Sequence, residues 1–416
     1  MIRALLCDWG GVLMRSVDPR PRLAWERRLG LPPTALADQV FSSDAWQQAQ
    51  HGQASLAEVW AEVGERLGLT AEETAALSHD FWAGDQIDQG LVALLRDLRE
   101  QGLRLALLSN HTRELPRLIA RLGLDGLFQE QIISATAGAS KPDPAIYWQA
   151  LERLGVAAEE TVFVDDWGVN VAAARQLGLV GIRFRGVAHL RRALAAAGLP
   201  VTVPSPDPVP GIRAVIFDWG GVLSPLTFVA HIGEWERRLG LAEGTLDRVL
   251  WGTTWKRLEI GEITQEEYDA HVARGLGLPG RAAVRRFYRE FYADERIEPW
   301  AMPLVRGLRG KYRVALLSNA FPGQAEHTQK KHGVDLRAEF DLYINSAEVG
   351  LAKPDPAIYL LALNRLGVAP QEAVFLDDQL RNVDAAQLLG MHGLVYTDPE
   401  TGLADLSALL GIPLPV

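Results

Sequence analysis

The chain has 416 residues, 48% of them hydrophobic and 23% charged, with a formal net charge of -10 and a single cysteine. This is the balance of a globular chain; the acid excess argues against a nucleic-acid surface, which selects clustered Lys and Arg, and one Cys7 excludes an intrachain disulfide or a Cys-rich metal site and fits a reducing, cytoplasmic setting. No stretch approaches the ~20 apolar residues of a membrane span, and the run after Met1-Ile2-Arg3 stops at Asp8, too soon for a secretory core.

In chain order, the first expected element is a short buried strand, Ala4 to Cys7, ending at Asp8-Trp9-Gly10-Gly11-Val12-Leu13. A helical texture follows through Trp25 to Leu31 and Trp46 to Leu69, where Leu56, Val59, Trp60, Val63 and Leu67 recur at helical spacing. About a hundred residues separate the first strand from the second, too many for a crossover helix alone, which predicts an inserted helical cap over about residues 15–90. Further strands are expected at Leu103 to Leu108, Gln131 to Ser134, Thr161 to Val164 and Val180 to Phe184. Strands alternating with helical patterns predict a parallel sheet flanked by helices, an α/β fold. Residues 200–210 carry five prolines and read as a semi-rigid linker.

Beyond the linker the chain repeats itself. Ala214 to Phe217 leads into Asp218-Trp219-Gly220-Gly221-Val222-Leu223, and Trp235 to Leu241 and Trp255 to Leu278 echo the first cap. Leu107 to Asn110 returns as Leu316 to Asn319, Lys141 to Tyr147 as Lys353 to Tyr359, and Val162 to Asp166 as Val374 to Asp378. Four blocks displaced in order by about 210 residues mark a tandem duplication. The expected domains are 1–199 and 211–416, with the second cap over about 224–301. In open parallel sheets ligands gather at the carboxyl ends of the strands. Asp8, Ser109 and Asp165, and their counterparts Asp218, Ser318 and Asp377, fall at such ends, so each domain is expected to hold one site. The basic residues are almost all Arg, yet Lys141 and Lys353 keep the same motif position, as expected where a compact ammonium is needed.

These four blocks resemble those of the haloacid dehalogenase-like (HAD) hydrolase superfamily, and the resemblance covers essentially both halves. It implies two tandem Rossmann-like domains, each with a helical cap between its first and second motifs, closest to small-molecule phosphatases near the sugar-phosphate and epoxide-hydrolase-phosphatase branches. On this resemblance Asp8 and Asp218 are nucleophiles that form an aspartyl-phosphate, splitting one hard displacement into two. Mg²⁺ is the implied cofactor, held by Asp8 and Asp166 with the main-chain carbonyl of Gly10, and by Asp218 and Asp378 with that of Gly220; a hard oxygen site suits this ion. Asp165 with Asn170, and Asp377 with Asn382, would stand behind these groups and hold metal waters and the lysine. Lys141 and Lys353 would offset charge on the transferring phosphoryl group. Ser109 and Ser318, with the amides of Asn110 and Asn319, would donate to phosphate oxygens.

One departure stands out. Phosphatases of this family usually carry a second aspartate two residues after the nucleophile, where this chain has Gly10 and Gly220. General acid-base help is typically worth about 10²- to 10⁴-fold in rate, whereas glycine lets the backbone pass close to a ligand. The expected function is a Mg²⁺-dependent phosphatase of a small phosphorylated metabolite. The alternative is a degenerate tandem that binds such a metabolite or serves as an assembly module. A carbon–halogen hydrolase is a third reading, which the paired aspartates disfavour. The approach Ser346 to Lys353 matches the family pattern better than Ser134 to Lys141, so a single working half would be the second, and the tandem could build a pseudo-dimer within one chain.

Overall fold

The computed structural model describes residues 1–414. The chain forms two compact units, residues 1–25 with 36–204, and residues 26–35 with 205–416. The first contains seven strands: β1 (Ala4–Cys7), β2 (Met14–Ser16), β3 (Asp85–Ile87), β4 (Arg104–Ser109), β5 (Glu130–Ile133), β6 (Thr161–Asp165) and β7 (Val180–Arg183). The second contains β8 (Ala214–Phe217), β9 (Arg313–Ser318), β10 (Leu342–Asn345), β11 (Ala373–Asp377) and β12 (His392–Val395).

Each unit is built on a five-stranded sheet, ordered β5-β4-β1-β6-β7 and β10-β9-β8-β11-β12. All neighbouring pairs in both sheets are parallel. The central strands β1 and β8 are buried along their whole length, which is why they read as unbroken apolar runs rather than alternating ones. Connections leave the central strand first toward β5 and then toward β7, so the order reverses beside β1, and a crevice opens there at the carboxyl ends. The register places Cys7 opposite Leu107 and Val164, so Asp8, Ser109 and Asp165 emerge along one edge of the sheet.

Helices fill the space between the first two strands of each sheet. Asp44–Gln50 and Leu56–Leu67 in the first unit are separate helices because Ser55 and Glu58 form a capping box that starts the second one. Thr264 and Glu267 do the same for Gln265–Gly275, which follows Thr253–Leu258. The antiparallel pair β2–β3 joins this module to the first sheet. At the corresponding junction of the second unit Ser224 Oγ donates to the Arg296 carbonyl at 2.9 Å. Residues 201–209 carry no regular structure. No helix among the described residues is long and apolar enough to cross a membrane.

Candidate active site

At the carboxyl edge of the first sheet the structure brings Asp8, Lys141, Asp165 and Asp166 together. Lys141 Nζ lies 2.8 Å from Asp8 Oδ1 and donates to Asp165 Oδ2 at 2.6 Å. Lys353 repeats this with Asp218 Oδ1 at 2.7 Å and Asp377 Oδ2 at 2.6 Å. Both lysine side chains are 1% exposed. Burial alone would strip their protons, but the two flanking carboxylates outweigh it and hold both pKa values above the ordinary lysine value. The ammonium is therefore retained.

Local structure fixes where each lysine stands. Asn110, one residue past β4, clasps its backbone from both sides: Nδ2 donates to the Lys141 carbonyl and Oδ1 accepts from the Lys141 N–H, each at 2.7 Å. Asn319 grips Lys353 in the same way at 2.9 and 2.8 Å. The asparagine side chains are thus occupied by the lysine backbone, a use that no local spacing reveals. The peptides Lys141-Pro142 and Lys353-Pro354 are cis. Asp143 and Asp355 then cap the helices Pro144–Leu154 and Pro356–Leu366, whose first residue is a proline that has no N–H to satisfy.

Asp165 is held from behind. Its carboxylate accepts from the Trp167 N–H at 2.8 Å and from Asn170 Nδ2 at 3.2 and 3.1 Å. Asp377 accepts from the Gln379 N–H and Asn382 Nδ2 at 2.7 and 3.0 Å. Tyr147 and Tyr359, buried in the repeated block, each donate at 2.9 Å to the carbonyl of that asparagine, a support the sequence reading did not assign. Ser109 and Ser318 are buried at the ends of β4 and β9, and Ser318 Oγ accepts from Gln324 Nε2 at 3.1 Å.

Asp8, Asp165 and Asp166 offer oxygens that all lie within 4.8 Å of one another, and Asp218, Asp377 and Asp378 do the same. One ammonium does not offset three carboxylates. Burial and the neighbouring anions lift Asp165 to about 6 and Asp166 to about 7, and burial lifts Asp218 well above the ordinary range. Asp166 Oδ1 is also buried without a hydrogen-bond partner. Excess buried negative charge and an unmet oxygen are the properties of a site for a divalent cation.

The two adjacent glycines of the first motif differ in their surroundings. A Cβ on Gly11, at φ +74°, would sit 2.1 Å from Asp166 Oδ2, and one on Gly221, at φ +79°, 2.5 Å from Asp378 Cγ. These positions need glycine. At Gly10 a Cβ would meet nothing within 4 Å, and at Gly220 only Leu226 Cδ2 at 3.4 Å. A Cβ therefore meets no clash where the family's usual aspartate would stand.

Residues 2–178 and 212–390 both match the family of haloacid dehalogenase-like hydrolases. The chain belongs to that family. Its HAD-like halves resemble proteins with varied names. Mouse acyl-CoA dehydrogenase family member 10 is 34% identical over 211 residues, covering 49% of this chain and 19% of that protein. Bifunctional epoxide hydrolase 2 of Sus scrofa is 27% identical over 219 residues, covering 49% and 40%. The sesquiterpene phosphatase AstK of Aspergillus oryzae is 29% identical over 202 residues, covering 48% and 97%. The HAD-like chain thus spans less than half the length of the first two relatives. A HAD family enzyme of Bacteroides thetaiotaomicron, solved with magnesium and inorganic phosphate, is 24% identical with a TM-score of 0.40, covering 45% of this chain and 95% of that one.

Proposed function

We propose that this HAD-like hydrolase is a Mg²⁺-dependent phosphatase of small organic phosphates, acting through an aspartyl-phosphate on Asp8 and Asp218. The observation that carries the reading is the buried lysine shared between the nucleophile and a second carboxylate, repeated at 2.6 to 2.8 Å in both domains. Asp8 and Asp166 with the Gly10 carbonyl, and Asp218 and Asp378 with the Gly220 carbonyl, would hold the Mg²⁺, whose charge would offset the crowded carboxylates and a phosphate oxygen. The remaining chemistry belongs to the chain. Lys141 and Lys353, each in contact with the nucleophile, offset charge developing on the phosphoryl oxygens, where a preorganised cation stabilises a transition state most. Asp165 and Asp377, fixed by Asn170 and Asn382, keep that ammonium in place. Dehalogenation would use the same nucleophile but gains nothing from two further carboxylates beside it. Phosphatases among the relatives support the choice.

The test is phosphate release from sugar phosphates and an activated aryl phosphate by the full chain, by Asp8→Asn and Asp218→Asn, and by the double variant. EDTA should end turnover, Mg²⁺ should restore it, and the double variant should be inactive. Turnover that survives both EDTA and the double substitution would refute the reading. Saturable binding of a phosphorylated metabolite in calorimetry, without release of phosphate, would establish the non-hydrolytic alternative that Gly10 and Gly220 motivate.

A further inference from the structure

If both domains hydrolyse phosphate esters, something other than residue 10 or 220 must handle the proton of the leaving oxygen, because glycine has none to give. The turn that follows the cap helices Asp44–Gln50 and Thr253–Leu258 packs against the sheet domain beside the site. In the first domain Ser134 Oγ donates to the Gln50 carbonyl at 2.7 Å, and Gln50 Nε2 donates to the carbonyl of Asn110, the residue that clasps Lys141, at 3.2 Å. Gly52 lies so close beneath that a Cβ would come within 2.3 Å of the Ala135 carbonyl oxygen. The second domain repeats the contact, with a Cβ on Gly261 2.5 Å from the Ala347 carbonyl oxygen. Matching Trp46 to Trp255 and Gly52 to Gly261 puts Glu259 where the first domain has Gln50.

Glu259 is half-buried and ends its helix. The charged groups that face it are Lys256 on its own helix, Arg381 on the helix Leu380–Leu388 that follows Asp378, and Lys353, and the Trp255 side chain hydrogen-bonds to it. Three cations and an indole N–H would ordinarily keep a carboxylate acidic. Burial outweighs them and lifts the carboxyl to about 7, so it is able both to give and to take a proton near neutrality.

We propose that Glu259 is the general acid and base of the second domain, supplying from the cap what Gly220 removes from the first motif, and that the first domain, with Gln50 in its place, lacks this function. The inference rests on the phosphatase reading. In the first step an Asp218 oxygen bonds to phosphorus, the bond from phosphorus to the leaving oxygen breaks, and that oxygen keeps the electron pair and takes the Glu259 proton. In the second, water attacks the aspartyl-phosphate and gives a proton to the Glu259 carboxylate, while the bond between phosphorus and the Asp218 oxygen breaks and its electron pair returns to the carboxylate. Inorganic phosphate leaves and Glu259 is protonated again.

The experiment uses the full chain carrying Asp8→Asn, so that only the second domain turns over, with Mg²⁺ and two substrates: glycerol phosphate, whose leaving oxygen must be protonated, and p-nitrophenyl phosphate, whose leaving group needs little help. Glu259→Gln should lower kcat/KM, which reports formation of the aspartyl-phosphate, about 10²-fold or more for glycerol phosphate and far less for the aryl ester, while hydrolysis of that shared intermediate slows alike for both. The alkyl ester's fall in rate above pH about 7 should vanish in the same variant. In the complementary Asp218→Asn background, Gln50→Glu should raise glycerol phosphate turnover by the first domain. Equal loss of kcat/KM for both esters, or no change in it while Asp218→Asn still abolishes second-domain turnover, would overturn the inference and leave the phosphatase reading standing. No phosphate release from either ester by the parent chain would overturn both.

Discussion

Alanine at Gly11 tests the site's geometry most directly. Its Cβ would project 2.1 Å from Asp166 Oδ2, where ordinary contact begins at 3.4 Å, so the carboxylate would have to retreat by about 1.3 Å. The left-handed backbone adds about 1–2 kcal/mol for any residue with a Cβ. In a domain of this size that lowers the melting temperature by roughly 2–8 °C. Displacing a positioned group by about 1 Å costs on the order of 10²-fold in rate, so Gly11→Ala should cut first-domain turnover by about that factor and raise the Mg²⁺ concentration needed for half-maximal activity. Gly10→Ala is the internal control, because its Cβ would meet nothing within 4 Å and its φ is not left-handed. It should leave stability unchanged within about 0.5 kcal/mol or raise it slightly. Phosphate release in the Asp218→Asn background, with thermal melts of both variants, provides the readout. If Gly11→Ala melts, turns over and responds to Mg²⁺ as its parent does, Asp166 is not positioned by that approach and the argument fails.

A Cβ at Gly10 meets nothing within 4 Å, so Gly10→Asp should fold and raise alkyl phosphate turnover by the first domain, which has Gln50 where the second has Glu259, by about 10²-fold through general acid help; steady-state kinetics in the Asp218→Asn background will show it. Lys353→Met leaves Asp218 and Asp377 buried without their shared ammonium, a loss of about 3–5 kcal/mol that should appear in chemical denaturation and be partly recovered by adding Asp377→Asn. Glu295 in the segment leading out of the second cap shows the opposite balance to Glu259: burial raises its carboxyl, but His327 and Lys331 Nζ, at 3.2 and 2.7 Å, outweigh that and draw it from 4.5 down to about 2. Its folded pKa is depressed, so its contribution, about 2 kcal/mol after discounting for solvent screening, is fully present above pH about 4.5 and lost as pH falls toward about 2; Glu295→Gln should flatten that part of the stability profile.

The strands were legible because parallel, doubly buried β-structure leaves a plain signature. Ala4–Cys7 and Thr161–Asp165 are apolar runs that each stop at an aspartate, and a stop of that kind marks the carboxyl edge. The cap helices were legible from spacing, although the break between Asp44–Gln50 and Leu56–Leu67 depends on a capping box inside what reads as one helical stretch. What could not be read was anything made across the fold. The clasp of Asn110 on Lys141 joins residues 31 apart, and an Asn after a strand looks like a turn residue until its partner is known. Glu259 gave no local sign either, since a Glu at the end of an exposed-looking helix is ordinary; only its burial beside Lys353 and Arg381 sets it apart. The association of residues 26–35 with the second unit is likewise a tertiary fact with no counterpart in periodicity.

The open space at Gly10 and Gly220 also bears on how such a chain changes over time. A glycine codon ending in a pyrimidine becomes an aspartate codon by one nucleotide substitution, and neither position has a left-handed backbone or a clash for an added Cβ. From such a codon the acid is a single mutational step away, and its first side-chain atom would meet no clash. Glycine at both places is therefore a state that the architecture permits but does not enforce, and its persistence in two copies must be sought in the reaction each domain serves.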